Sequence, residues 1–155
     1  MVYTQPPHLT EEEMESFLTE AKIARFCSLN PDGTIHAAAV NYRYEKGRIL
    51  LVTPAASRKA RNVKRNGIVT LLVDVTGKRL SDTKGALIYG KGEVKEGTLS
   101  EMMSVNETWM RADRVEAWTK RLFGLTDWVT ISVEPEGTAS WDYAKDEEFA
   151  AVFQE

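Results

Sequence analysis

Two tight-turn signals close together do most to restrict the fold of this chain. Asn30-Pro-Asp-Gly33 and Glu45-Lys-Gly47 have the residue chemistry of short turns, and each is flanked by apolar runs of strand type. Ile23–Leu29, residues 34–44 and Arg48–Thr53 therefore read as three successive strands joined by turns too short for a crossover. Strands joined in this way must be antiparallel. Ile68–Val75, Ala86–Val94, Asp127–Val133 and residues 138–143 extend the pattern, with Pro135-Glu-Gly137 read as a turn between the last two. Gly90 and Gly92 suggest a bulge or a close backbone approach in their strand. The expectation is a mainly β protein, a six- to seven-stranded antiparallel split β-barrel with flanking helices. Closure removes the exposed edges that long apolar strands would otherwise present.

Helices are expected in three places. Thr10-Glu-Glu-Glu13 is a capping box opening a helix to about Ala21, with Met14, Phe17, Leu18 and Ala21 on one face. Residues 97–123 read as a helical insertion, in one piece or two, with Met102, Met103, Val105, Trp109, Met110, Val115, Trp118 and Leu122 apolar. Core or dimer packing is the favoured reading of those positions, and a substrate-pocket wall is the alternative. A tail over 145–154 places Phe149, Val152 and Phe153 together. Residues 1–9 read as an extended arm, and 76–82 as a polar loop.

A fourth expected helix, just after the strand Arg48–Thr53, carries the chemistry. Pro54 cannot donate to a sheet ladder, so the strand should end near Thr53. Ser57 reads as an N-cap, 58–66 as a helix and Gly67 as its stop. Residues 57–66 hold five Lys or Arg and no acid, and Arg58 and Lys59 fall in the first turn. Cations are unfavourable at a helix N-terminus, which is already positive. An anion on the free N–H groups, enclosed by Thr53, Ser57, Arg58 and Lys59, removes the conflict. The bland alternative is a solvated basic helix.

Composition narrows the classes. The 155 residues suit one domain, taken as 1–155, and the net charge is −3. Without the five cations of 57–66 the balance is −8, so the positive charge is a local patch on an acidic protein. That argues for a small anionic ligand and against nucleic acid. No apolar run approaches membrane-span length, and Met1-Val-Tyr-Thr-Gln-Pro-Pro is no signal peptide. One cysteine, Cys27, excludes an intramolecular disulfide, so a cytoplasmic location is expected. Cys27 reads as a small buried hydrophobe. His8 and His36 have no neighbours at ligand spacing, so no metal site is expected. Gly90-Lys-Gly92 lacks the length and ending of a P-loop.

The run Asp32-Gly33, His36, Val40, then Val52-Thr53, Ser57-Arg58-Lys59 and Asn62-Val63 resembles the pyridoxamine 5′-phosphate oxidase-like flavin-binding split-barrel family. Ala86–Val94 fits the same family, and the closing segment from Val129 to Trp141 does so more loosely. The resemblance implies a homodimer of split barrels with FMN at the interface. It places Thr53, Ser57, Arg58 and Lys59 on the FMN phosphate, with Asn62 one turn further along. It also sets His36, Ala37, Ala38, Ala39, Val40 and Asn41 beside the isoalloxazine ring, with Trp141 among the cofactor-binding residues. His36 and Asn41 stand where pyridoxamine phosphate oxidases have basic residues, and Trp141 is followed by Asp142, Tyr143 and Ala144 rather than the substrate-binding Arg and His. The expectation is thus a flavin-dependent oxidoreductase acting on some small molecule. An F420-binding reductase, a non-catalytic flavin protein and a haem-binding barrel using His8 or His36 are the alternatives.

Overall fold

The structure is a computed structural model that describes residues 6–152. Its centre is one antiparallel sheet of seven strands: β1 (Ile23–Leu29), β2 (Ile35–Asn41), β3 (Arg43–Glu45), β4 (Arg48–Pro54), β5 (Ile68–Val75), β6 (Lys84–Glu96) and β7 (Trp128–Asp142). The order across the sheet is β2-β1-β5-β6-β7-β4-β3. The two ends of that order, β2 and β3, are one run of chain interrupted only at Tyr42. The sheet therefore curls back on itself as a split barrel.

The expected single strand over 34–44 is thus two strands. Its first part pairs with β1 and its last part with β4, on opposite sides. Tyr42, at the change of side, is 1% exposed, and its hydroxyl donates to Leu18 O at 2.7 Å. The expected turn at Pro135–Gly137 is also corrected. β7 is continuous, and both halves pair with the long β6. Tyr89 opposes Gly137 and Gly90 opposes Pro135, so Glu136 is left over as a bulge. Proline cannot donate to the ladder, and the register slips beside it. A Cβ on Gly90 would lie 2.5 Å from Glu134 O.

Five helices flank the sheet: α1 (Glu11–Glu20), α2 (Arg58–Arg65), α3 (Leu99–Asn106), α4 (Val115–Phe123) and α5 (Glu147–Val152). The Thr10 and Glu13 capping box is formed as read, and a second, Thr98 with Glu101, opens α3. The 97–123 segment is two helices, locked by the buried bond from Asn106 Nδ2 to Thr119 Oγ1 at 2.9 Å. Within the expected 76–82 loop, Leu80–Asp82 forms a 3-10 turn. Residues 7–9 of the arm are pinned to β7: Asp142 N donates to Pro7 O, Leu9 N to Ser140 Oγ, and His8 Nδ1 lies 2.8 Å from Ser140 O. Residues 1–5 of the arm and Phe153 lie outside the described residues. Phe149 meets Tyr143, while Val152 is exposed.

Alternation places Phe26, Ile49, Leu71, Val73, Ile88, Ile131 and Val133 in the core. The opposite face of the sheet is mixed, with apolar side chains around the Arg25–Asp74 ion pair. Its lateral rows run Ala37, Cys27, Thr70, Tyr89, Gly137 and then Ala39, Arg25, Leu72, Leu87, Ala139. Ile35 is 70% and Ile68 63% exposed at its edge.

Candidate functional site

The chain from β4 into α2 folds as its residues dictate. β4 stops at Pro54, and Ser57 N donates to Pro54 O at 2.9 Å to close the turn. Ser57 then caps α2, its Oγ accepting from Ala60 N at 3.3 Å. Thr53, 2% exposed, donates its hydroxyl to the same Oγ at 3.3 Å. Ser57 Oγ thus accepts twice, which leaves its own O–H free to donate. The N–H groups of Arg58 and Lys59, in the first turn, fall outside the helical ladder. A ready set of donors is therefore gathered at one point.

The charges at this helix end are unusual. Neither Arg58 nor Lys59 forms a hydrogen bond or ion pair through its side chain among the described residues. Lys59 is half-buried, and desolvation holds its ammonium below the ordinary lysine range. Arg58 acts weakly on Asp32, whose carboxyl is held low chiefly by hydrogen bonds from Thr34 and in small part by Arg58. A buried cation with no partner is costly. An acid-free donor set with a desolvated ammonium has the composition of an anion site.

Lys59 and Thr53 open onto a cavity of about 230 Å³. Ala39, Val40 and Asn41 of β2 share it, so the structure brings together the end of β2 and the start of α2. It lies where the two ends of the sheet order part. The α3–α4 pair walls it: Met102, Trp109 and Leu122 line it, with Trp128 of β7. The Met- and Trp-rich insertion, read mainly as packing, is therefore also a cavity wall. Met102 is buried, while Trp109 is 42% exposed, with its indole N–H donating to Asn106 Oδ1 at 3.1 Å.

Other expected site residues lie further off. His36 and Ala37 stand nearer the start of β2, with His36 opposite Ser28 and half-buried. Ala38 opposes Phe26 with its side chain on the core side. Asn62 is 2% exposed, and its amide donates to Ser28 Oγ at 3.1 Å and Asn30 Oδ1 at 3.0 Å. Arg65 donates to Asn62 Oδ1 and to Leu29 O. Asn62 and Arg65 thus tie α2 to β1 and the first turn. Trp141 covers Gly85 on the outward face of the sheet. β7 meets the cavity at its other end, at Trp128, and Trp141 does not line it within one chain. Cys27 is half-buried on the outward face, and burial pushes its thiol up, as befits an unreactive side chain. No group of His, Cys, Asp or Glu among the described residues could hold a metal ion.

Comparison with known proteins agrees with this architecture. The pyridoxamine 5′-phosphate oxidase family model matches residues 10–142, and the chain belongs to that family. Among solved structures it is similar to a conserved hypothetical protein from Mycobacterium tuberculosis. The two are 24% identical, with 92% of each chain covered and a TM-score of 0.76. It is also similar to an F420 reductase at 19% identity, covering 81% of this chain and 94% of that one, with a TM-score of 0.62. A FAD-binding protein from Mesorhizobium loti is 16% identical over 86% of this chain and 93% of that one, with a TM-score of 0.63. No curated protein matches. No described helix is long and apolar enough to cross a membrane.

Proposed function

We propose that this protein binds FMN and acts as a flavin-dependent oxidoreductase on a small molecule. The observation that carries the reading is the donor set at the start of α2, whose Thr53 and Lys59 line a cavity of mixed polar and apolar surface. Ser57, Arg58 and Lys59, with Thr53 behind them, would hold the phosphate. The end of β2, from Ala39 to Asn41, would lie beside the ring, where small side chains let a flat ligand approach. The solved relatives include proteins described as an F420 reductase and as FAD-binding, which supports a ligand of this class. FMN, when bound, supplies the hydride and electron chemistry. The chain's part is to neutralise the phosphate with Arg58 and Lys59, to keep water from the ring with Met102, Trp109, Leu122 and Trp128, and to fix the ring against β2.

The proposal includes a homodimer. A cavity of about 230 Å³ is smaller than the roughly 300–1,000 Å³ of usual ligand sites. The outward sheet face, with Ile35, Ala37, Ala39, Leu72, Leu87 and Tyr89, is the surface a second copy would cover. Trp141 stands on that face and would be covered by the second copy.

The test is the absorption spectrum and mass of the small molecule that co-purifies. FMN is expected. F420 would keep the fold and the phosphate site but change the cofactor, and haem or no ligand would overturn the reading. Bleaching of the bound flavin by NADH or NADPH then separates an enzyme from a flavin store.

A further inference from the structure

The phosphate reading uses two of the five cations on α2, and the Asn62 network uses a third. Arg61 and Lys64 are left, three residues apart on one face of the helix. Both are exposed, and neither has an ion pair or side-chain hydrogen bond among the described residues. They line a second and larger cavity, about 940 Å³, between α2, the end of β6 and the segment joining α4 to β7. Its opposite wall is apolar, with Phe123, Leu125 and Trp128. Trp128 stands between the two cavities and lines both. Two carboxylates, Glu96 and Asp127, also line this space, and neither is ion-paired among the described residues. Lys95 is there too, but it is engaged by Glu101.

The floor of this cavity is built rather than loose. Ala55 N donates to Asp127 O at 2.9 Å, Gly97 N to Trp128 O at 2.9 Å, and the Trp128 indole N–H to Phe123 O at 3.2 Å. A Cβ on Gly97 would lie 3.0 Å from Trp128 backbone atoms, so the two segments meet as closely as they can.

We propose that this cavity is a second ligand site, distinct from the flavin site, for an aromatic molecule that carries a phosphate and also hydrogen-bond donors: a nucleoside monophosphate or a close relative. Each part of the lining has a use for such a ligand. Arg61 and Lys64 pair with the phosphate. Phe123 and Trp128 offer apolar and aromatic surface to the base. Glu96 and Asp127 would repel a plain anion, but they accept from ribose hydroxyls or an exocyclic amine. The volume falls within the range of nucleotide-sized sites.

The test is calorimetric titration of adenosine 5′-monophosphate into the protein, with and without saturating FMN. Wild type, an Arg61→Ala, Lys64→Ala double variant and an Arg58→Ala, Lys59→Ala double variant are compared. Saturable binding tighter than about 1 mM is expected. It should persist with FMN present and weaken about tenfold or more in the 61/64 variant. It should be nearly unchanged in the 58/59 variant, and adenosine should bind about tenfold more weakly than its monophosphate. Absence of binding, competition with FMN, or equal affinity in the wild type and the 61/64 variant would overturn the proposal. Adenosine binding as tightly as its monophosphate would do the same. The titration without FMN reads this site even if no flavin binds, so the two proposals fail separately.

Discussion

Lys59 is the residue whose surroundings say most. Its ammonium is half-buried and faces no acid, so desolvation lowers its proton affinity. A bound phosphate would reverse that by favouring the charged form. As pH rises through the lowered value the free protein loses the proton that the complex needs, and affinity falls. On the acid side, affinity falls below about pH 6, where a phosphate monoester takes up its second proton. FMN affinity measured by fluorescence quenching across pH should therefore be highest between these limits, while riboflavin affinity stays flat over the same range. Tyr42 is the structural counterpart. Burial pushes its phenol well above the usual tyrosine range, so it remains a donor to Leu18 O. Tyr42→Phe should cost about 1 kcal/mol in a denaturant melt, with FMN affinity little changed.

Among the elements, α2 joins fold and site most directly. It lies close on the sheet because β6 has no side chain at Gly92. A Cβ there would meet Val63 Cγ1 at 2.8 Å and Val69 Cγ1 at 3.4 Å. Gly92→Ala should therefore push α2 outward, destabilise the protein by about 1–3 kcal/mol, and weaken FMN binding through the displaced helix N-terminus. Thermal melts and FMN titration of this one variant check both effects. Much of this element's local structure was legible in the sequence: Pro54 as the strand end and Ser57 as the cap. Asn62 was harder to read, because its partners Ser28 and Asn30 are distant in sequence and come near only when β1 packs under α2. The role of α3 and α4 was hidden for a related reason. Helical spacing of Met102, Trp109 and Leu122 marks an apolar face, but it does not show that the face stands over the gap between β2 and β4. The strand pattern also failed at Pro135-Glu-Gly137. The residues are those of a turn, and only pairing with the long β6 on both sides makes them a bulge.

At the scale of the whole molecule, the sheet presents one face to its core and another, with exposed apolar side chains, to the outside. Ile35 and Ile68 are exposed at the end of that outward face, and the Arg25–Asp74 ion pair at 3.0 Å lies within it. Sedimentation should give twice the chain mass. Ile68→Glu should shift it toward the monomer, and a monomeric wild type with full flavin occupancy would argue against the dimer. The central claim is that the start of α2 is a flavin phosphate site. Parallel titration of FMN and riboflavin into wild type and an Arg58→Ala, Lys59→Ala double variant tests it most directly. Wild type should prefer FMN. The double variant should lose on the order of 2–5 kcal/mol of FMN affinity, roughly thirty-fold or more, and leave riboflavin affinity nearly unchanged. Equal FMN affinity in the two proteins, or no preference for FMN over riboflavin in wild type, would contradict it.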